Sequence, residues 1–423
     1  MKAVQVLNPD TVERLSAVGH ADLVVGIPSF QNARTIGHVV HAAQTGLAKY
    51  FPDARAVVLN SDGGSSDGTP TVVANAAGPE GSVVLVSQPR NPVFRFSVPY
   101  HGLPGKGSAF RTIFGAAEHL GAKACAVVDS DLRSITPEWI DLLLTPVVHR
   151  AFDYVSPFYQ RHKFDGTITN NVVYPLTRAL YGQRVRQPIG GDFGLSARMF
   201  RHLLTLPEWE TDVARFGIDI WMTTTAICGG FNVCQSYLGA KLHDPKDPAS
   251  DLSSMLVQVL GTLFQLMETH EDRWQACTAS HDVPMFGFRY DVGLDPVRVD
   301  VNRMIDHFGR GVAELAGIWQ RVFDAADMRR LHSAATGEHE QFRIDDDLWV
   351  RLVYGLAAAY HHRTMDRDHL LRASLPLYMG RVASFVRELW DADVPQVESR
   401  MERVCLEFER QKDDLRHRWA GNR

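Results

Sequence analysis

Residues Ala124–Leu132 read ACAVVDSDL. Five apolar residues in a row suit a short strand buried on both faces, the kind found in a parallel sheet covered by helices. Two carboxylates, Asp129 and Asp131, follow one residue apart. Like charges at that spacing repel unless something positive stands between them. A divalent cation with oxygen ligands is one solution: Mg²⁺ or Mn²⁺ takes one or two carboxylates and leaves positions for substrate oxygens. In the other reading, one Asp caps the following turn and the second is solvated.

Moving outward, the first 240 residues alternate strand-like and helical patterns. ADLVVGIPSF, ARAVVLNSD, GSVVLVSQP and KACAVVDSD read as strands, with FNVCQSYLG a further one. Between them TIGHVVHAAQTGLAKYF, TPTVVANAAG, GKGSAFRTIFGAAEHLG and TPEWIDLLLTPVVHR read as helices. Pro70 and Pro137 stand at first-turn positions, Thr136 at a cap and Gly121 at a C-terminal stop. This alternation predicts an α/β fold, a mostly parallel sheet with helices on both faces. Such sheets bind ligands beyond the carboxyl ends of their strands, where Asp129 and Asp131 stand. From about Asp251 apolar residues recur only at three- and four-residue spacing, which predicts a helical C-terminal region. DPKDPASD, Asp244–Asp251, is the expected joint. We therefore expect two domains, 1–250 and 251–423, the second offering apolar stripes for packing or dimerisation.

The 423 residues are 45% hydrophobic and 22% charged, as in a globular protein, with a formal charge of −5. That balance gives no reason to expect nucleic acid or an anionic membrane as partner. The five cysteines form no CxxC pair and read as scattered thiols. MKAVQVLNPDTVERL lacks the apolar stretch of a secretion signal, no run is long enough for a membrane span, and the expected compartment is the cytoplasm.

Other polar segments stand at the ends of expected elements. LNSDGGSSDGT, Leu59–Thr69, is a Gly/Ser loop in which Asp62 could accept hydrogen bonds from a base or ribose, or simply close a turn. LPGKGSAF places Lys106 between glycines at a helix start, a site suited to a diphosphate. It has neither the GxxxxGK[ST] nor the GxGxxG spacing. QPIGGDFGLSARMF puts Gly190, Gly191 and Asp192 just before a helix, where they could face a sugar or begin that helix. Asp219 opens an apolar helix as a dipole partner or a ligand group, and His243 follows the last strand.

Together VVGIPSFQNARTI, DGGSSDGT, GKGSA, VVDSDL and QPIGGDFG, extended by FGID and LGAKLHD, resemble a GT-A glycosyltransferase. More narrowly the segments are similar to the retaining, nucleotide-sugar-dependent glucosyl-3-phosphoglycerate synthase family, over about residues 22–245. The resemblance implies a GT-A, Rossmann-like fold. It also implies transfer of a hexose, most simply glucose, from a donor such as UDP-glucose or GDP-mannose to a hydroxyl of a small carboxylate such as 3-phosphoglycerate or glycerate. By the same resemblance, Pro28, Ser29, Phe30 and Asn32 line the nucleoside pocket with Asp62, and Lys106 lies along the diphosphate. Asp129 and Ser130 hold the ribose side. Asp131 and His243 hold Mg²⁺ or Mn²⁺. Gly190, Gly191 and Asp192 flank the donor sugar, and Asp219 touches its hydroxyls or the acceptor. Thr169 matches the acceptor-binding threonine, with Gly166, Thr167, Arg161 and Lys163 around it. The chain departs from the family where QNAR replaces acidic residues, where Thr167 replaces an Arg, and where Asp244 and Pro245 follow His243 in place of an Asn. Two rival readings are a sugar-phosphate nucleotidyltransferase, against which IPSFQNART after the first strand argues, and a non-catalytic nucleotide-sugar-binding module.

Overall fold

The computed structural model describes residues 6–76, 93–99 (backbone only), 105–211, 213, 215–242, 253–290, 293, 294, 297 and 299–421. The chain forms two compact units. The first holds Met1–Gln160, Val185–Asp244 and Val283–Gly293; the second holds Arg161–Arg184, Pro245–Asp282 and Leu294–Arg423. The chain passes from the first unit to the second after Asp244. The segment Arg161–Arg184 joins the helical unit, and Val283–Gly293 returns to the first.

In the first unit, eight strands among the described residues form one sheet in the order β3-β2-β1-β4-β6-β5-β7-β8. They are β1 Leu23–Ser29, β2 Ala56–Asp62, β3 Val93–Pro99, β4 Ala124–Val127, β5 Tyr154–Gln160, β6 Phe193–Ser196, β7 Val233–Ala240 and β8 Met285–Phe286. β1, β2 and β4 are buried at every residue, as apolar runs without alternation require. β1 pairs parallel with β2 and β4, and β2 with β3. β6 is antiparallel to both β4 and β5, so the sheet is mixed. The register places Val127 of β4 opposite Phe193 of β6, which brings Gly190–Asp192 to the carboxyl end of β4. β5 pairs parallel with β7, whose end delivers Lys241 to the same edge.

Helices cover the sheet. Ile36–Tyr50 and Pro137–Arg150 bury Val39, Val40, Leu47, Trp139, Ile140 and Leu143 against Val25, Ile27, Val58 and Ala126. Thr136 stands at the expected cap position, but its side chain makes no hydrogen bond to the helix backbone. The expected strand GSVVLVSQP lies outside the described residues, and the strand beside β2 is Val93–Pro99. Gly190–Asp192 lead into β6, and only then does the helix Ala197–Thr205 begin.

The second unit is helical. Asp300, Asp324, Asp345, Asp366 and Asp393 each accept a hydrogen bond from a first-turn backbone N–H of the helix that follows. Its buried charges are compensated, most of them by opposite charges, and Lys412 by the carbonyls of Ala179, Leu180 and Cys277. Arg178, fully buried, meets Glu402 at 2.6 Å and Glu409 at 2.8 Å, and Arg381 and Arg400 share Asp346, each at 2.7 Å. Among the described residues no helix is long and apolar enough to cross a membrane.

Candidate active site

At the carboxyl edge of β4 and β7, two lysines and three aspartates interlock. Lys106, the first residue of the helix Lys106–His119, lies 2.8 Å from Asp129 Oδ1 and 3.3 Å from Asp219 Oδ2. Lys241 lies 2.7 Å from Asp129 Oδ2 and 2.8 Å from Asp192 Oδ2, and donates to the Gly190 carbonyl at 2.7 Å. Asp192 also accepts from the Asp129 backbone N–H at 2.7 Å and from the Tyr159 hydroxyl. Gly191 has φ +95°, and a Cβ there would fall 2.2 Å from Asp129 Oδ2 and 3.0 Å from the Lys241 ammonium. Only glycine lets the backbone pass so close to the pair.

Two buried carboxylates and a half-buried one, set against two ammonium groups, shift each other's titration. Burial alone would lower the Lys106 ammonium, but Asp129, Asp219 and Asp192 hold it above the usual lysine range. Burial would raise the Asp129 carboxyl, yet Lys106 and Lys241 hold it well below the usual carboxylate range. Asp192 and Asp219 are raised, burial being the larger cause in each and Lys241 and Lys106 respectively opposing it. Asp219 Oδ1 is buried without a hydrogen-bond partner among the described residues.

Asp131 is half-buried in the same loop, and among the described residues no hydrogen bond or ion pair engages its carboxylate. With it the cluster counts four acids and two lysines, an excess of negative charge that suits a cation. His243 lies outside the described residues, and no group of three or more His, Cys, Asp or Glu able to hold a metal stands among those described. Leu242 is bonded to the Asp131 loop: its carbonyl accepts from Arg133 N–H at 2.9 Å and its N–H donates to Ser134 Oγ at 2.9 Å.

The residues expected to line a nucleoside pocket also lie near one another. Asp62 accepts four hydrogen bonds, from Ser29 Oγ, Gly64 N–H, Ser65 N–H and Ser65 Oγ, between 2.7 and 2.9 Å. That fills the lone pairs of a carboxylate, so Asp62 shapes its own loop. Asn32 is bound likewise: its Oδ1 accepts from Phe30 N–H at 2.9 Å and from Ser130 Oγ at 2.8 Å, tying the β1 loop to the DSD segment. Pro28 and Ser29 are buried inside β1, whereas Phe30 leaves 61% of its surface exposed at the rim.

The residues expected to bind an acceptor belong to the second unit. Arg161 Nη1 stands 3.8 Å from Asp165, and a Cβ built on Gly166 would lie 3.5 Å from Arg161 Nη1 and 4.0 Å from Thr169 Oγ1. Thr169 opens a π-helical turn, Thr169–Val173, a geometry frequent at functional sites. Thr167 Oγ1 is 2.6 Å from Tyr378 OH. Lys163 donates to the carbonyls of Trp390 and Ala392, so its ammonium is engaged by backbone.

Sequence reasoning missed Lys241 and Tyr159. The signal for the lysine was a charge directly after an apolar strand, in SYLGAKLHD, at the edge where parallel sheets place their ligands. Tyr159 carried no signal, because its hydroxyl partner comes from a segment distant in the chain.

No family model matches the chain. A glucosyl-3-phosphoglycerate synthase of Persephonella marina is 27% identical over 183 residues, covering 39% of this chain and 45% of the relative, so the match spans less than half of that protein. Among solved structures, the glucosyl-3-phosphoglycerate synthase of Mycobacterium tuberculosis in complex with Mg²⁺ and uridine diphosphate matches with a TM-score of 0.45 and 23% identity, over 60% of this chain and 83% of that one. The same enzyme with Mn²⁺, UDP-glucose and phosphoglyceric acid matches with a TM-score of 0.45 and 21% identity, over 63% and 88%. The chain is similar to glucosyl-3-phosphoglycerate synthases.

Proposed function

We propose that the chain is a metal-dependent GT-A hexosyltransferase. It moves glucose from UDP-glucose, or a hexose from a related nucleotide-diphosphate sugar, to a hydroxyl of a small carboxylate such as glycerate or 3-phosphoglycerate. The observation that carries this reading is the acidic loop at the end of β4, where Lys106 stands beside Asp129 while Asp131 has no partner among the described residues. Mg²⁺ or Mn²⁺ would be held by Asp131 and His243, the residue next along the chain from Leu242. When bound, the ion offsets the charge that builds on the departing diphosphate.

The chain's own groups do the rest. Lys106 supplies a fixed positive charge at a helix start, suited to phosphate oxygens. Phe30 presents an exposed ring for a base. Asp192, with no exposed surface and three donors on it, is in no position to act as a base. That favours retention, with the leaving phosphate oxygen taking the acceptor proton. Asp219, with one oxygen unpartnered, is the carboxylate left to orient a hydroxyl. Arg161 and Thr169, in the second unit, are the acceptor-side residues that the family resemblance implies. The engagement of Lys163 by backbone supports an acceptor with one anionic group over a phosphorylated one.

The test is a screen of UDP-glucose and GDP-mannose against glycerate and 3-phosphoglycerate, with Mn²⁺ and with chelator. Release of nucleoside diphosphate together with a glycosylated acid, lost on chelation, is the expected result. Pyrophosphate release from a nucleoside triphosphate and a sugar phosphate would instead identify a nucleotidyltransferase. A β-linked product from the α-donor, seen by NMR, would overturn retention.

A further inference from the structure

Lys241 is the most deeply buried cation of the cluster, its side chain only 4% exposed, and no role above requires it. It is the first residue after β7. Its three protons have three acceptors: Asp129 Oδ2 at 2.7 Å, Asp192 Oδ2 at 2.8 Å and the Gly190 carbonyl at 2.7 Å. The ammonium also lies 5.0 Å from the centre of the Tyr159 ring. One side chain thus ties the DSD loop, the GGD segment and the chain leading out of β7 into a single unit. With Lys106 on Oδ1 and Lys241 on Oδ2, both oxygens of Asp129 already carry an ammonium. Asp131, two residues on, carries none among the described residues.

We propose that Lys241 is a positioning residue that holds Asp129 outside the coordination sphere of the divalent cation, so that the cation binds on the Asp131 side alone. The proposal rests on the functional reading only in placing a cation at Asp131. The physical reason is local. An aspartate with an open oxygen two residues from a metal-bound aspartate would join it, since hard cations take carboxylate oxygens readily. A second carboxylate would tighten the metal and cancel charge needed to attract the diphosphate. Lys241 prevents this by occupying the oxygen that Lys106 does not reach.

The test measures Mn²⁺ alone binding to the full-length chain, by electron paramagnetic resonance or calorimetry, with no sugar nucleotide. Lys241→Met frees Asp129 Oδ2 and should bind Mn²⁺ about tenfold more tightly, the gain of one charge interaction at the edge of a protein. Adding Asp129→Asn should abolish that gain. In the native background, Asp129→Asn should leave Mn²⁺ affinity within about twofold, whereas Asp131→Asn should weaken it tenfold or more. A purely structural lysine would lower the melting temperature of Lys241→Met without tightening the metal. If Lys241→Met fails to fold, the Asp129→Asn and Asp131→Asn pair still decides, because equal losses in the two place Asp129 in the metal's shell and overturn the assignment. Unchanged affinity in folded Lys241→Met, with loss in Asp131→Asn, overturns the role of Lys241 alone. Unchanged affinity in Asp131→Asn removes the cation reading and this assignment with it.

Discussion

Asp192→Asn separates two readings of one residue. The sequence places Asp192 beside a sugar; the structure buries it completely beneath the DSD loop. Its Oδ1 accepts from Asp129 N–H at 2.7 Å, and its Oδ2 accepts from Lys241 at 2.8 Å and from the Tyr159 hydroxyl. An asparagine of the same shape cannot satisfy both sides. If its carbonyl faces the Asp129 N–H, its NH₂ meets an ammonium and a hydroxyl proton; flipped, the NH₂ meets the N–H. Removing one partner of a buried ion pair costs about 3–5 kcal/mol. Lys241 keeps Asp129 and the Gly190 carbonyl, so the lower end applies, about 3 kcal/mol. For a unit of this size that is a fall of about 6–12 °C in melting temperature. The assay is urea denaturation and calorimetry of the purified variant, followed by donor KM on the folded fraction at low temperature. A variant melting within about 2 °C of the native protein, with only donor KM raised, would refute the reasoning and return Asp192 to the sugar.

Gly191→Ala forces a Cβ to within 2.2 Å of Asp129 Oδ2 at φ +95° and should cost at least about 2 kcal/mol in the same denaturation assay. Tyr378→Phe removes the 2.6 Å partner of Thr167. It should cost about 1–2 kcal/mol and raise acceptor KM severalfold in steady-state kinetics while donor KM stays within about twofold. Burial raises the Asp346 carboxyl, but Arg381 and Arg400 more than reverse this and hold it below the usual range. Its stability contribution is therefore complete above the unfolded pKa of about 4 and is lost as pH falls through the lower folded value. Asp346→Asn should cost about 3–5 kcal/mol at pH 7, and denaturation at decreasing pH should show the gap to the native chain narrowing below about pH 4.

The elements legible in the sequence are those whose burial leaves an uninterrupted or strictly periodic apolar pattern. β1, β2, β4 and β7, the helices between them and the long C-terminal helices all carry that pattern. β5 reads YVSPFYQ, with a proline and alternating polar groups, because it lies between an antiparallel and a parallel neighbour away from the sheet's centre. β6 is four residues long and includes a glycine, too short for any period to show. LPLYMGRVASFVRE, the helix Leu375–Glu388, conceals its character differently. Its Arg381 is fully buried and reads as a solvent-facing position until Asp346 and Asn171, both distant in sequence, are seen to receive it.

The same distinction explains the candidate site. A carboxylate at the end of an element is visible in sequence: Asp129 and Asp131 after an expected strand, Asp192 before an expected helix and Asp219 at the start of another. What each does depends on which cations reach it, and those arrive from other elements: Lys106 from a helix start, Lys241 from the far side of β6 and β5. Four acids that look equivalent in sequence thereby divide by partner count. Asp192 already accepts from three donors. Asp129, with an ammonium on each oxygen, is fixed in charge and orientation. Asp219 has one lysine and one oxygen with no hydrogen-bond partner among the described residues. Asp131, unpaired among the described residues, is the one whose charge awaits a counter-ion. Buried carboxylates are stable only when compensated, so the compensation already present subtracts Asp192 and Asp129 from the candidates for chemistry. The residue that strand-end logic alone could not single out is then identified by what it lacks.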